Sequence, residues 1–308
     1  MIRFADQEGL SMLHSTRTPA QKRAAFRERL HGGELLRLPG AFNPLSAKLI
    51  QDKGMEGVYL SGAVISADLG LPDIGLTTLT EVAGRAGQVA RVTELPVLVD
   101  ADTGFGEAMN VARTVQCMED AGVAGIHLED QVNPKRCGHL DGKHVVPVAD
   151  AVQRIRAAVQ ARRDPNFLIM ARTDARGVSG MDEAVERAKA YVDAGADAIF
   201  PEAMTGLEEF AAMRAAVDVP ILANMTEFGK SELFSTTALA EVGVNLVIFP
   251  VFLLRLAMGG AERALDTITE HGTLDSLVPQ MQTRARLYEL LDYESYSQFD
   301  SGVYDFTV

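Results

Sequence analysis

Lys135-Arg136-Cys137-Gly138-His139 sets one of the chain's two cysteines between two cations and a histidine. Neighbouring cations stabilise a thiolate and lower a cysteine's pKa, so the segment suits a reactive sulfur. The competing reading is a small buried hydrophobe, a common fate of a free cysteine. Gly138 lets the backbone turn or approach a ligand closely. Just upstream an apolar run ends in Glu129-Asp130-Gln131, so a carboxylate-bearing strand end feeds a basic, cysteine-bearing loop. Asp100 and Asp102 stand two apart on another such run, which points both to one side. Asp73 and Glu129 can join them. Carboxylates gathered on one side repel unless a cation neutralises them, and hard oxygen ligands suit Mg²⁺ or Mn²⁺ completed by waters. An Asp at a strand end also caps helices, but two in register beside two further acids favour the metal. Arg172, Lys135, Arg136 and Arg255 offer cations to a multiply charged carboxylate, and each could equally serve a structural ion pair. His139 suits a general base, a proton shuttle or a carboxylate ligand, with a purely structural histidine as the alternative. Glu202 and Glu129 could orient His139 or the waters of a metal.

These groups need a scaffold that gathers strand ends. From Glu34 the chain alternates short apolar runs with amphipathic helical patterns, which argues for βα units and a parallel sheet. Gly54, Gly122, Gly195 and Gly243 each close a helical pattern. An apolar run follows each: Val58–Leu60, Ile126–Leu128, Ala198–Phe200 and Leu246–Ile248. Recurrence of this kind marks one supersecondary unit used again. Further runs at Leu35–Leu38, Val97–Val99, Phe167–Ala171 and Ile221–Ala223 bring the count to about eight, which predicts a (β/α)₈ barrel of the TIM type. The rival is an open doubly wound sheet, whose glycine-rich G-x-G-x-x-G turn is missing.

The whole chain, 1–308, reads as a single barrel domain. Residues 1–33 form an arm (1–17) and a helix, Pro19–Leu30, capped by Thr18, with Ala25, Phe26 and Leu30 as its apolar contacts. Residues 34–272 form the barrel. Residues 273–308 form a helical extension, where Leu274, Leu277, Val278, Met281, Leu287, Leu290 and Leu291 predict one more amphipathic helix in need of a surface. Catalytic groups of such a barrel sit at the C-terminal ends of its strands. Those ends carry Tyr59, Ser61 and Gly62, with Asp73 beyond; Asp100 and Asp102; Glu129 and the Lys135–His139 loop; Arg172; Glu202; Asn224 and Thr226; and Pro250, with Arg255 one turn on. Cys117 falls opposite the apolar stripe of its own helix and reads as chemically idle.

Composition narrows the partners. A formal net charge of −13 and a pI near 4.9 disfavour nucleic acid and anionic membranes. A small polyanionic substrate then needs local cations or a metal. The two cysteines do not suggest a disulfide framework, which fits a reducing, cytoplasmic setting. No apolar run reaches the roughly 20 residues of a spanning helix. Asp6 and Glu8, with no apolar segment after them, predict no signal peptide.

The chain resembles the isocitrate lyase/phosphoenolpyruvate mutase superfamily, and within it the carbon–carbon lyases. The resemblance rests on Tyr59-Leu60-Ser61-Gly62, Leu71-Pro72-Asp73, Val99 through Gly106, Leu128-Glu129-Asp130-Gln131, Lys135 through His139, Ala171-Arg172-Thr173-Asp174, Phe200-Pro201-Glu202-Ala203 and Asn224 through Phe228. The cysteine-bearing segment separates the lyases from cysteine-lacking mutases, hydrolases and decarboxylases. Ala63, where many such lyases have glycine, and the loop Leu140-Asp141-Gly142-Lys143 depart from the pattern.

The resemblance implies cleavage of 2-methylisocitrate, a tricarboxylate, to pyruvate and succinate, as in the methylcitrate cycle of propionate breakdown. Isocitrate and dimethylmalate-type acids are the rival substrates, and a non-catalytic thiol-sensing barrel is the rival of another class. It further implies Mg²⁺, or Mn²⁺, on Asp73, Asp100, Asp102 and Glu129. Tyr59 becomes a candidate for taking the hydroxyl proton, and Cys137 the acid that protonates the succinate carbanion, with Lys135, Arg136 and His139 around it. Ser61, Gly62, Gly138, Arg172, Glu202, Asn224, Thr226 and Arg255 would surround the substrate, with Phe200 beside its extra methyl. A homotetramer with exchanged C-terminal helices is implied as well.

Overall fold

A computed structural model describes residues 15–139 and 142–304. The expectations for residues 1–14 and for Leu140 and Asp141 lie outside the described residues. In chain order the elements are α1 (Pro19–Leu30), β1 (Leu36–Pro39), α2 (Pro44–Asp52), β2 (Val58–Leu60), α3 (Gly62–Asp68), α4 (Leu79–Val92), β3 (Val97–Asp100), α5 (Ala108–Asp120), β4 (Gly125–Glu129), α6 (Val148–Ala161), β5 (Leu168–Thr173), α7 (Arg176–Ser179), α8 (Met181–Asp193), β6 (Ala198–Pro201), α9 (Leu207–Ala216), β7 (Leu222–Asn224), α10 (Thr236–Glu241), β8 (Leu246–Phe249), α11 (Phe252–His271), α12 (Arg284–Leu290) and α13 (Tyr293–Tyr304).

All the strand pairs are parallel. β2 through β6 pair in sequence, and β8 pairs with both β1 and β7. A bridge from Gly40 to Tyr59 joins β1 to β2, and one from Ile199 to Ile221 joins β6 to β7, so the cylinder closes. Period-2 alternation divides the strand residues. Leu36, Leu38, Tyr59, Leu98, Leu168, Met170, Phe200, Leu222, Leu246 and Ile248 pack together inside. Val58, Leu60, Val97, Val99, Ile126, Ile169, Ala171, Ile199 and Val247 pack outward in the larger core that the helices cover. The glycines expected past helix ends, Gly54, Gly122, Gly195 and Gly243, all have positive φ, where a side chain would be strained.

α1 starts where the sequence predicts. Thr18 caps it with a reciprocal box to Gln21, and Pro19 occupies its first turn. Phe26 and Leu30 join the interior cluster, so α1 plugs the cylinder. Lys22 and Arg23 are also buried, unlike the apolar contacts expected. Lys22 donates to the carbonyls of Ala90 and Thr93 at the end of α4, and Arg23 to that of Glu119 in the last turn of α5 and that of Val123 just beyond it. Exposed C-terminal carbonyls attract cations. Truncating Phe26 to Ala would cost about 3–5 kcal/mol through the cavity left behind.

The C-terminal region differs from expectation. The single amphipathic helix predicted from Leu274 onward is a 3₁₀ turn at Val278–Gln280 followed by α12 and α13. The element lacking a surface is α11 itself, which belongs to the eighth βα unit. Its twenty residues include none that is buried, and Leu256, Met258 and Leu265 are more than 60% exposed. Among the described residues no helix is long and apolar enough to cross a membrane.

Candidate active site

A cavity of about 360 Å³ opens where the strands end. Tyr59, Ser61, Asp73, Asp100, Lys135, Arg136, Cys137, Gly138, His139, Arg172, Glu202, Asn224, Thr226 and Arg255 all line it. Gly62, Asp102, Glu129 and Phe200 do not. A larger cavity, about 670 Å³, lies on the far side of Asp102. Its wall has neither the thiol nor the buried arginine, so the chemistry belongs to the smaller one.

Asp100 ends β3 and Asp102 follows it in a turn with a φ of 45°, so the two aspartates meet beside Gly62 through that turn and not through strand alternation. Asp100 accepts the N–H of Gly62 at 3.1 Å and that of Asp102 at 3.0 Å. Gly62 therefore spends its donor on Asp100 and has none left for a substrate. A Cβ there would also press on both aspartates. Lys135 bridges Asp73 and Asp102, the latter at 2.8 Å. Burial, and then Asp100 beside it, pushes Asp102 up to about 6. Burial also pushes Glu129 well up, and its Oε1 is buried with no hydrogen-bond partner. Burial alone would raise Asp100, but the positive charge around it outweighs that and holds it low. Among the described residues no three His, Cys, Asp or Glu side chains converge on one point. Mg²⁺ takes one or two carboxylates and keeps several waters. A buried, mutually repelling Asp100–Asp102 pair beside an unpartnered Glu129 oxygen fits that habit.

Arg172 forms the opposite wall. It donates to both oxygens of Asp174 at 2.9 and 3.2 Å and lies 3.1 Å from Glu202. Burial would raise Glu202, yet Arg172 and a hydrogen bond from His139 keep it ionised well below the usual range. Phe200 corrects an expectation. It is fully buried, with its ring centroid 4.9 Å from the guanidinium carbon, so it supports Arg172 from beneath. Strand alternation turns Phe200 inward while Glu202 sits one layer higher at the rim. Asn224 faces Glu202, and its Oδ1 is buried without a partner.

His139 has both ring nitrogens engaged. Nδ1 accepts the backbone N–H of Lys230 at 3.0 Å, so Nε2 carries the proton and faces Glu202 at 3.0 Å. A histidine so bound ties its loop to the β6 and β7 ends and has no free lone pair for a base. Cys137 also departs from expectation. Burial pushes its thiol up, aided by Asp73 and Glu202, while the His139 N–H and Arg172 pull the other way. Lys135 is committed to the aspartates, so it does not serve the sulfur. The result is a protonated thiol, suited to an acid.

His127 escaped the sequence reading. It is fully buried, and its Nε2 lies 2.8 Å from Tyr59 Oη. Nδ1 has no partner. An orphan acceptor costs less than an orphan N–H, which favours the tautomer donating from Nε2 to Tyr59. The signal was present: His127 stands two residues before Glu129, on the same side of β4. Burial, then Asp100, pushes the Tyr59 phenol well up.

Comparison with known proteins agrees with this geometry. Residues 26–269 match the family model for phosphoenolpyruvate phosphomutase. A probable 2-methylisocitrate lyase 2 of Corynebacterium glutamicum is 60% identical over 296 residues, covering 96% of each chain. A 2-methylisocitrate lyase of Aeropyrum pernix is 49% identical, covering 90% of each. Among solved structures, oxaloacetate acetylhydrolase with 3,3-difluorooxalacetate has a TM-score of 0.88 at 34% identity, covering 95% of this chain and 100% of that one. Phosphonopyruvate hydrolase with oxalate and Mg²⁺ has a TM-score of 0.83 at 29% identity, covering 91% and 98%.

Proposed function

The chain belongs to the phosphoenolpyruvate phosphomutase family, and from that premise we propose that it is a carbon–carbon lyase cleaving 2-methylisocitrate to pyruvate and succinate. The observation that carries this reading is the Cys137 thiol sharing one small cavity with the phenol Tyr59 and the cation Arg172. A mutase or hydrolase has no evident use for that acid. Relatives bearing the lyase name at 49–60% identity over most of the chain support the same substrate.

In this reading Arg172, Ser61, Thr226 and the free Asn224 oxygen face the carboxylates and their counter-groups. Tyr59 takes the hydroxyl proton as a phenolate, after releasing its own proton to solvent. The His127 N–H donated to its oxygen stabilises the phenolate that burial and Asp100 disfavour. The adjacent C–C bond breaks, pyruvate leaves, and its bonding pair remains on succinate as a carbanion delocalised into a carboxylate. Cys137 then gives its proton to that carbon. A divalent cation held by Asp100, Asp102 and, on the partnerless side, Glu129 would polarise the hydroxyl and its neighbouring carboxylate. Mg²⁺ is the first choice and Mn²⁺ the second, since a structural neighbour carries Mg²⁺. Full turnover in excess EDTA would sink the metal requirement.

We read the protein as cytoplasmic, with both cysteines free, and as a homotetramer whose α11 finds its surface on another copy. Pyruvate release from 2-methylisocitrate tests the reaction.

A further inference from the structure

Asp174 has no part in the chemistry above, yet it is fully buried beside it. A buried carboxylate is costly unless it is paired and hydrogen-bonded. Here it meets two cations. Oδ2 accepts the Nε–H of Arg172 at 2.9 Å, and Oδ1 accepts from Nη2 of the same guanidinium at 3.2 Å. Oδ1 also accepts from the Lys143 ammonium at 2.6 Å, whose second bond goes to the Gly138 carbonyl. An aspartate after a strand often caps the next helix. α7 starts two residues on without a side-chain cap, so Asp174 is not spent that way.

Arg172 carries five N–H groups in a rigid planar fork. Seating Nε and Nη2 on the two oxygens of one carboxylate fixes the plane of the guanidinium and its rotation within that plane. The other contacts of Arg172 do not. Glu202 meets Nη1 alone, at 3.1 Å. Glu129 Oε2 lies 3.4 Å from Nε, beyond ordinary hydrogen-bond length. Phe200 supports one face, which leaves rotation in the plane open. Asp174 is held in turn. Its N–H donates to Asp130 Oδ1 at 2.9 Å, and the Thr173 hydroxyl donates to Asp130 Oδ2 at 2.8 Å. Asp130 also accepts the Tyr191 hydroxyl of α8 at 2.8 Å. A chain of buried hydrogen bonds thus runs from α8 through Asp130 and Asp174 to the arginine of the cavity.

We infer that Asp174 is a positioning residue for Arg172: its fork on Nε and Nη2 turns the guanidinium so that the N–H groups left over meet the substrate's carboxylate. The inference rests on reading Arg172 as a carboxylate-binding group.

The rival is that Asp174 merely neutralises Lys143. Lys143→Met removes that need, so the test is Asp174→Asn added to Lys143→Met. Both proteins are read twice, by the Kd of succinate from calorimetry with Mg²⁺ present and by the crystallographic position of the Arg172 guanidinium. An amide has one acceptor oxygen and cannot serve Nε and Nη2 together. Adding Asp174→Asn should therefore displace the guanidinium and weaken succinate at least ~10-fold. Arg172 unmoved, affinity unchanged, or unfolding of a background that itself folds would each overturn the inference. If Lys143→Met does not fold, Asp174→Glu decides. It keeps a negative charge for Lys143 but sets the carboxylate one methylene further out, so the same displacement and loss of affinity are expected. Failure of that variant to fold, or wild-type affinity in it, would make Asp174 a residue of the fold alone. The position of Arg172 needs no turnover, so an enzyme inert toward 2-methylisocitrate would refute the proposed reaction and leave the structural result readable.

Discussion

Gly138 rests directly on Arg172: a Cβ at this position would overlap the guanidinium and the side chain of Glu202. Glycine is required here for close approach, since its φ lies outside the left-handed region. Gly138→Ala should lift the loop from the cavity wall. A displacement near 1 Å costs about 10²-fold in rate, so kcat/KM should fall by at least that while the protein still unfolds cooperatively. Near wild-type kcat/KM would show that the loop need not sit on Arg172.

Cys137→Ser should keep the fold and lose at least ~10³-fold in kcat, about 4 kcal/mol of barrier, because a hydroxyl is a far weaker acid than a thiol. The pH profile follows from the sign of the shift. Cleavage uses the protonated thiol, and burial raises its pKa. The alkaline limb assigned to Cys137 should therefore lie above the about 8.5 of an ordinary thiol. A limb that falls below that value in the wild type and vanishes in the serine variant would contradict a raised thiol.

Phe200→Trp should act on stability more than on specificity. Phe200 is fully buried beneath Arg172 and edge-on to His127, with ring centroids 5.2 Å apart. Overpacking a filled core costs about 1–3 kcal/mol, so the melting temperature should drop while the ratio of 2-methylisocitrate to isocitrate turnover holds. A tenfold change in that ratio without loss of stability would restore direct contact with the methyl group.

Much of the architecture was legible because period-2 runs and helix-closing glycines repeat. Asp100 was placed by strand alternation, but Asp102 was not: it follows the strand in a turn with positive φ, which brings it beside Asp100. The pairing of Tyr59 with His127 was not legible, because β3 lies between their strands and only the packing of the barrel interior brings the two side chains together across it. The thiol's pKa was misjudged from neighbours in sequence: Lys135 turns to Asp73 and Asp102, and burial decides. Phe200 was misplaced by one layer, which run position alone does not resolve. Lys143 lay in a loop without periodicity, so its buried bonds to the Gly138 carbonyl and to Asp174 could not be read from a pattern.

α11 predicts assembly. Twenty helical residues with none buried leave Leu256 and Leu265 facing solvent in one copy. Exposed apolar surface of this extent marks an interaction face. Light scattering at micromolar concentration should give four copies for the wild type and smaller species for Leu256→Glu/Leu265→Glu. A wild type that is monomeric and fully active would count against the tetramer.

The most direct measurement is kcat/KM for pyruvate release from 2-methylisocitrate and for glyoxylate release from isocitrate, with Mg²⁺ present. One methyl in an apolar pocket is worth about 1–3 kcal/mol, or roughly 10–200-fold. The account predicts a preference for 2-methylisocitrate of at least ~10-fold. Preference for isocitrate would move the substrate assignment, and release of neither product would contradict the lyase itself.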